Sequence, residues 1–329
     1  MFESILGNEM TSFLELRKAS VVPQTFASDA ANLTALDLYL VKHDYQEKNL
    51  SEKILEAWMG TLRGKSKTVK EKVIAIRNFV KYLNGMGNHS FLPDAPKAKS
   101  DYIPYIYSDE ELVSIFHYAD HLDIKAPKSC SPYLLVKIPM ILRILYGCGT
   151  RLGETLALRR KDIDFEAHTI FLQHTKFSKE RLIPVHVTLI NILERYCLTL
   201  GIMLSPDAYL FPGARPERPF TKRQMGTWFA EILRRANIDQ REREQNERGA
   251  CLHCFRHVFV LKSMRQLEAE GHPVDMNDLF LPTYLGHECL LDTDKYMRFS
   301  GAQIPESLAA FETFTAGLIP KVEVPYEEE

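Results

Sequence analysis

Four short stretches between residues 146 and 298 hold cations, histidines and a tyrosine at close spacing. They are GTRLGE with Arg151 and Glu154, HTKFSKER with Lys176, HCFRH with His253, Arg256 and His257, and LGHECLLDTDKY with His287 and Tyr296. Guanidiniums stay charged at any working pH and present forked donors that match two phosphate oxygens, which a lysine does less well. Direct attack on a phosphodiester puts negative charge on the non-bridging oxygens, so catalysis of that step is mostly positioning and charge stabilisation. Arg151 and Arg256 suit such a clamp. A phenol with a pKa of about 10 is a poor nucleophile at neutral pH. Tyr296 therefore needs a base or a strongly positive pocket, and His253 is the candidate base. Taken singly, none of these residues decides anything. An isolated arginine mostly faces solvent, and an isolated tyrosine is more often a half-buried packing residue.

Together, the order and spacing of the four stretches resemble the tyrosine recombinase family, of the lambda-integrase type. Gly149-Thr150-Arg151-Leu152-Gly153-Glu154 matches the family's first arginine box. Lys176 falls where the family's catalytic lysine sits on a β-hairpin, flanked here by Thr175 and Phe177 where the family often has glycines, and followed by the matching Lys179, Arg181 and Pro184. His253 and Arg256 match the histidine-arginine box, and Leu285-Gly286-His287 with Tyr296 match the last box. The joint match spans roughly 150 residues, which makes it specific.

The resemblance implies an enzyme that cuts and rejoins DNA through a 3'-phosphotyrosyl intermediate, with Tyr296 as nucleophile. By resemblance and by the need to protonate the leaving 5'-oxygen, Lys176 is the general acid. His287 would hydrogen-bond the attacked phosphate, His257 would assist or orient, and Glu154 would support the neighbouring backbone or an arginine. The implied partners are double-stranded DNA sites and further copies of the chain, as a tetramer on DNA. In that assembly a short amphipathic helix at 304–314 would dock on a neighbour or, equally, pack on its own domain. No metal or nucleotide cofactor is implied, and neither a Walker-type glycine loop nor an acidic metal cluster is present in the sequence. Cys251, Cys254 and His257 suggest zinc only faintly, since one CxxC lacks a second pair at finger spacing. The two cysteines read as core residues. A type IB topoisomerase, which rejoins the original strand, and a DNA-binding regulator with a degenerate site are the alternatives.

The elements that must position these residues can be read in outline. The first ninety residues show helical spacing in Phe13 to Leu16, Ala31 to Leu40, Ile54 to Leu62 and Val69 to Leu83, ended by Gly85, Gly87 and Asn88. The stretch FLPDAPKAKSDYIP at 91–104 reads as a linker. Beyond it, Ser108 and Glu111 form a capping box, and a longer helix runs to Tyr146. Residues 163–186 then alternate as a small antiparallel sheet, and helices resume from Val187. The expected fold is mainly α with a small antiparallel β-sheet. Residues 1–100 would form a helical, SAM-like core-binding domain and 104–329 a mixed α/β catalytic domain.

Bulk composition is less informative. With 329 residues, 45% of them hydrophobic and 26% charged, the chain is large enough for two globular domains. The net charge of -2 and pI of about 6.6 argue mildly against nucleic acid as a partner. Local clustering offsets this. Residues 63–81 carry Arg63, Lys65, Lys67, Lys70, Lys72, Arg77 and Lys81 against the single acid Glu71, and read as a DNA-backbone contact or a solvated helix face. The most apolar stretch, 133–149, is interrupted by Lys137 and Arg143, too soon for a membrane span. With no leader and six scattered cysteines, a cytoplasmic, nucleoid-associated protein with reduced thiols is expected.

Overall fold

The helical spacing of the first hundred residues is met by α1 (Gly7–Ser20), α2 (Pro23–Lys42), α3 (Glu52–Thr61) and α4 (Ser66–Gly85). The structure is a computed structural model that describes residues 2–97, 104–122, 133–173, 180–238, 249–269 and 280–286. The chain divides into two compact units, Met1–Asp101 and Tyr102–Glu329.

In the first unit, α2 opens on Pro23, whose missing N–H is no loss in a first helical turn. On α4, Val73, Ile76, Phe79, Val80 and Leu83 recur at three- and four-residue steps and are buried. They share a core with Phe13, Leu36, Leu40 and Trp58. The buried Asp37 carboxylate accepts the backbone N–H groups of Glu3 and Ser4, each at 2.9 Å, and so fastens the start of the chain to α2. Lys67, Lys70, Arg77 and Lys81 fall within a roughly 80° arc of α4 at roughly 3.6 residues per turn. Lys72 points elsewhere and donates to the Arg63 carbonyl at 3.2 Å. Arg77 donates to the Pro93 carbonyl and lies 3.7 Å from Asp94, so it holds down the chain that follows α4.

The second unit starts with α5 (Asp109–Asp120), where Ser108 accepts from the Glu111 N–H at 3.2 Å and Glu111 accepts from the Ser108 N–H at 2.9 Å. α6 (Leu134–Cys148) is buried through most of its length, and its buried Lys137 donates to the Pro212 carbonyl at 2.6 Å. Burial lowers that amine to a pKa of about 8. Then come α7 (Leu152–Ala157), a 3-10 turn at Arg160–Asp162, and strands β1 (Ile163–Asp164), β2 (Thr169–Leu172) and β3 (Arg181–Pro184). The strands form one antiparallel sheet in the order β1-β2-β3, with Ile170 opposite both Ile163 and Ile183. α8 (Val187–Thr199), α9 (Lys222–Arg235), α10 (Cys254–Ala269) and α11 (Phe280–Leu285) complete the described elements. The architecture is mainly α with a small antiparallel sheet, and α6 runs through a core built from α5, α8, α9 and α10. No helix among the described residues is long and apolar enough to cross a membrane.

Candidate active site

Three chain segments of the second unit converge: the turn 149–154 between α6 and α7, the first residue of β3, and the end of α11. Gly149 ends α6 in the left-handed region, at φ +57, where a side chain would also strike the ring of Phe259. Both constraints select glycine. The chain then turns so that Arg151 stands just before α7.

Glu154 organises this turn. Its carboxylate is buried and accepts the Arg151 backbone N–H at 3.0 Å and the Arg151 Nη1 at 2.8 Å. From β3 it accepts Arg181 Nη2 at 2.8 Å and Nη1 at 3.3 Å. Burial pushes the carboxyl upward in pKa, but the hydrogen bond and charge of Arg181, with those of Arg151, outweigh it and hold Glu154 below its ordinary value. Two cations therefore share one anion, and the cluster keeps a net positive charge. The Arg151 side chain remains 31% exposed against 11% for Arg181, so Arg151 is the one that can meet an anion from solution.

Arg256 sits in the first turn of α10 and is only 1% exposed. Its Nη1 donates to the Gly149 carbonyl and its Nη2 to the Leu285 carbonyl, both at 2.7 Å. A buried guanidinium needs such acceptors to offset desolvation. Through them Arg256 joins the Arg151 turn to α11. α11 is held as well by packing, since Tyr284 stacks on Phe259 with ring centroids 5.3 Å apart and Leu285 is fully buried beside Val260 and Met264.

His253 is exposed at the approach to α10, and its ring lies 5.1 Å from that of His257, edge to face. His257 is buried, and burial, with His253 and Arg256 nearby, lowers its pKa to about 3. It is thus neutral throughout the physiological range. Cys254 belongs to the core, as the sequence suggests, but Cys251 is exposed because it lies in the turn before the helix rather than on its packed face. The two sulfurs are 3.5 Å apart. Among the described residues no three potential metal ligands gather.

The described residues thus bring together Arg151, Glu154, Arg256 and His257, with His253 at the exposed edge. Lys176, His287 and Tyr296 lie outside the described residues, as does the 304–314 segment. The basic residues 63–81 belong to the first unit, where Arg63, Lys65, Lys67 and Lys81 are exposed. Arg181 is visible in the sequence beside Lys176, but nothing there gives it a role. The clue is the strand's two-residue period, which puts Arg181 on the same face as the buried Ile183. A cation on a buried face needs a partner.

The model of the phage integrase family matches residues 107–300. The chain belongs to that family. This integrase-family chain is 28% identical over 243 residues to the tyrosine recombinase XerC of Bacillus pumilus (strain SAFR-032), covering 71% of each protein. Its fold is like that of the XerH site-specific recombinase in a post-cleavage complex with a palindromic difH substrate, at TM-score 0.66 and 19% identity over 88% of this chain and 80% of that one. It is also like that of a lambda integrase in a tetramer bound to a Holliday junction, at TM-score 0.61 and 14% identity over 88% of this chain and 76% of that one. These relatives lend no support to a type IB topoisomerase or a degenerate regulator.

Proposed function

We propose that this tyrosine recombinase family member is a site-specific DNA recombinase or integrase working through a 3'-phosphotyrosyl intermediate. The observation that carries the reading is the construction around Glu154 and Gly149. One turn orients Arg151 toward solvent, and its Gly149 carbonyl fixes the buried Arg256 behind it, so that one guanidinium can meet a phosphate while the second adds positive charge close by. In the proposed reaction the Tyr296 oxygen bonds to phosphorus and the bond from phosphorus to the 5'-oxygen breaks. His253 takes the phenol proton, Lys176 protonates the leaving oxygen, and His287 hydrogen-bonds the phosphate. A neutral His257 supports Arg256 from within the core. Attack by a 5'-hydroxyl of another strand then reverses each transfer and frees the tyrosine.

The first unit is proposed as the core-binding domain and the second as the catalytic one. Double-stranded DNA is the proposed partner, in keeping with the difH substrate bound by XerH, and the lambda integrase tetramer on a Holliday junction supports assembly of several copies on DNA. A recombinase acting on cellular DNA would work in the cytoplasm, which is the proposed location. A nicked suicide duplex tests the reading. The wild-type protein is expected to become covalently linked to the 3' end, and Tyr296→Phe to bind the same DNA without linkage. An adduct formed by Tyr296→Phe at the wild-type rate overturns the assignment.

A further inference from the structure

We infer that Arg181 is a positioning residue of the strand-cleavage site, holding Arg151 and the end of α11 in register without touching the DNA. The inference deepens the proposed function and rests on it.

The Arg181 guanidinium is already occupied on two edges. Nη1 and Nη2 lie along the Glu154 carboxylate, and Nε donates to the Tyr284 carbonyl at 2.9 Å. With its side chain only 11% exposed, it cannot turn to an incoming phosphate without giving up Glu154. The next carbonyl along, that of Leu285, is taken by Arg256. Consecutive carbonyls at the end of α11 are thus gripped by two different arginines, and each also reaches the 149–154 turn, Arg181 through Glu154 and Arg256 through Gly149. Helix ends leave such carbonyls without intrahelical partners, and here they serve as handles.

Gly286 fits the same device. It has φ +67, and a Cβ there would come within 3.0 Å of Arg181 Nη1. The chain leaves α11 at Gly286 directly against this guanidinium. There is also an electrostatic consequence. Because Arg181 takes a share of Glu154, the carboxylate does not neutralise Arg151 alone, and the more exposed guanidinium keeps charge for a phosphate. A lysine at 181 would preserve the charge but, as a compact point donor, could not span both carboxylate oxygens and a carbonyl.

The test compares wild type, Arg181→Lys, Glu154→Gln and the double variant in single-turnover cleavage of the suicide duplex, with DNA affinity measured in parallel. Misplacement of a reacting group costs about 100-fold, so Arg181→Lys is expected to cleave about 100-fold more slowly. Its Kd should stay within about 2-fold of wild type, as for a residue off the DNA surface. Because the two residues share the Arg181–Glu154 contact, the double variant should lose less than the product of the two single losses. Wild-type cleavage by Arg181→Lys, a loss expressed in Kd, or multiplicative losses in the double variant would each overturn the inference. If Arg181→Lys does not fold, Arg181→Gln decides, because it leaves the Glu154–Arg151 contacts in place: slow cleavage at unchanged Kd supports the role, and full-rate cleavage removes it. Failure of the wild type to form any adduct sinks the underlying recombinase reading and this role with it, whereas an adduct formed equally fast by wild type and Arg181→Lys sinks the role alone.

Discussion

Arg256 is buried to a degree that few arginines tolerate, 1% exposed, and two backbone carbonyls offset part of its desolvation. Its substitution should therefore disturb structure and chemistry together. Arg256→Ala is expected to lose about 3 kcal/mol of transition-state stabilisation, on the order of 100-fold in cleavage. The suicide duplex reads this directly, and a fully active variant would contradict the clamp. Its neighbour His257 makes a separate prediction about pH. The imidazole is held neutral, with a pKa of about 3 in the fold against an ordinary 6.5. Between those values the unfolded chain binds the proton that the folded chain refuses, so stability is complete above about 6.5 and declines as pH falls toward 3. Denaturation midpoints measured from pH 7 to 5 should fall, and in His257→Gln that part of the slope should vanish. An unchanged slope would mean that the histidine titrates normally.

At the scale of elements, the cationic arc of α4 is the surface whose role can be weighed. Lys67, Lys70 and Lys81 lie on one side of the helix while Arg77 is engaged with Pro93 and Asp94, so the lysines are better placed to meet phosphates. Replacing the three by glutamine should reduce the slope of log affinity against log salt by about 0.9 for each phosphate that is no longer neutralised, without changing sequence preference. Filter binding over a salt series measures it. A slope equal to that of wild type would return α4 to a solvated face.

For the whole molecule, the proposal of a tetramer on DNA turns on the 304–314 segment. Deleting residues 301–329 should leave binding of one site by one copy intact and abolish the higher-order complex. Native gels or mass photometry on DNA would show it, and wild-type assembly by the truncated chain would discard the docking role.

By itself the sequence determined the family resemblance, the helical and strand periods, the capping box at Ser108 and the candidates for the chemistry. All of these are local patterns or spaced boxes that a chain carries before it folds. Glycine at 149 is written in the sequence too, but the Phe259 ring that excludes any side chain there comes from a segment more than a hundred residues away. Only the tertiary structure decided that Arg181 and Arg151 share one carboxylate, that Arg181 and Arg256 hold adjacent carbonyls of α11, that His257 is kept neutral, and that Cys251 faces out. The reason is that a hydrogen bond between distant segments, and the desolvation that makes it matter, depend on which faces meet when α6, α10 and the sheet pack. No periodicity along the chain encodes that meeting.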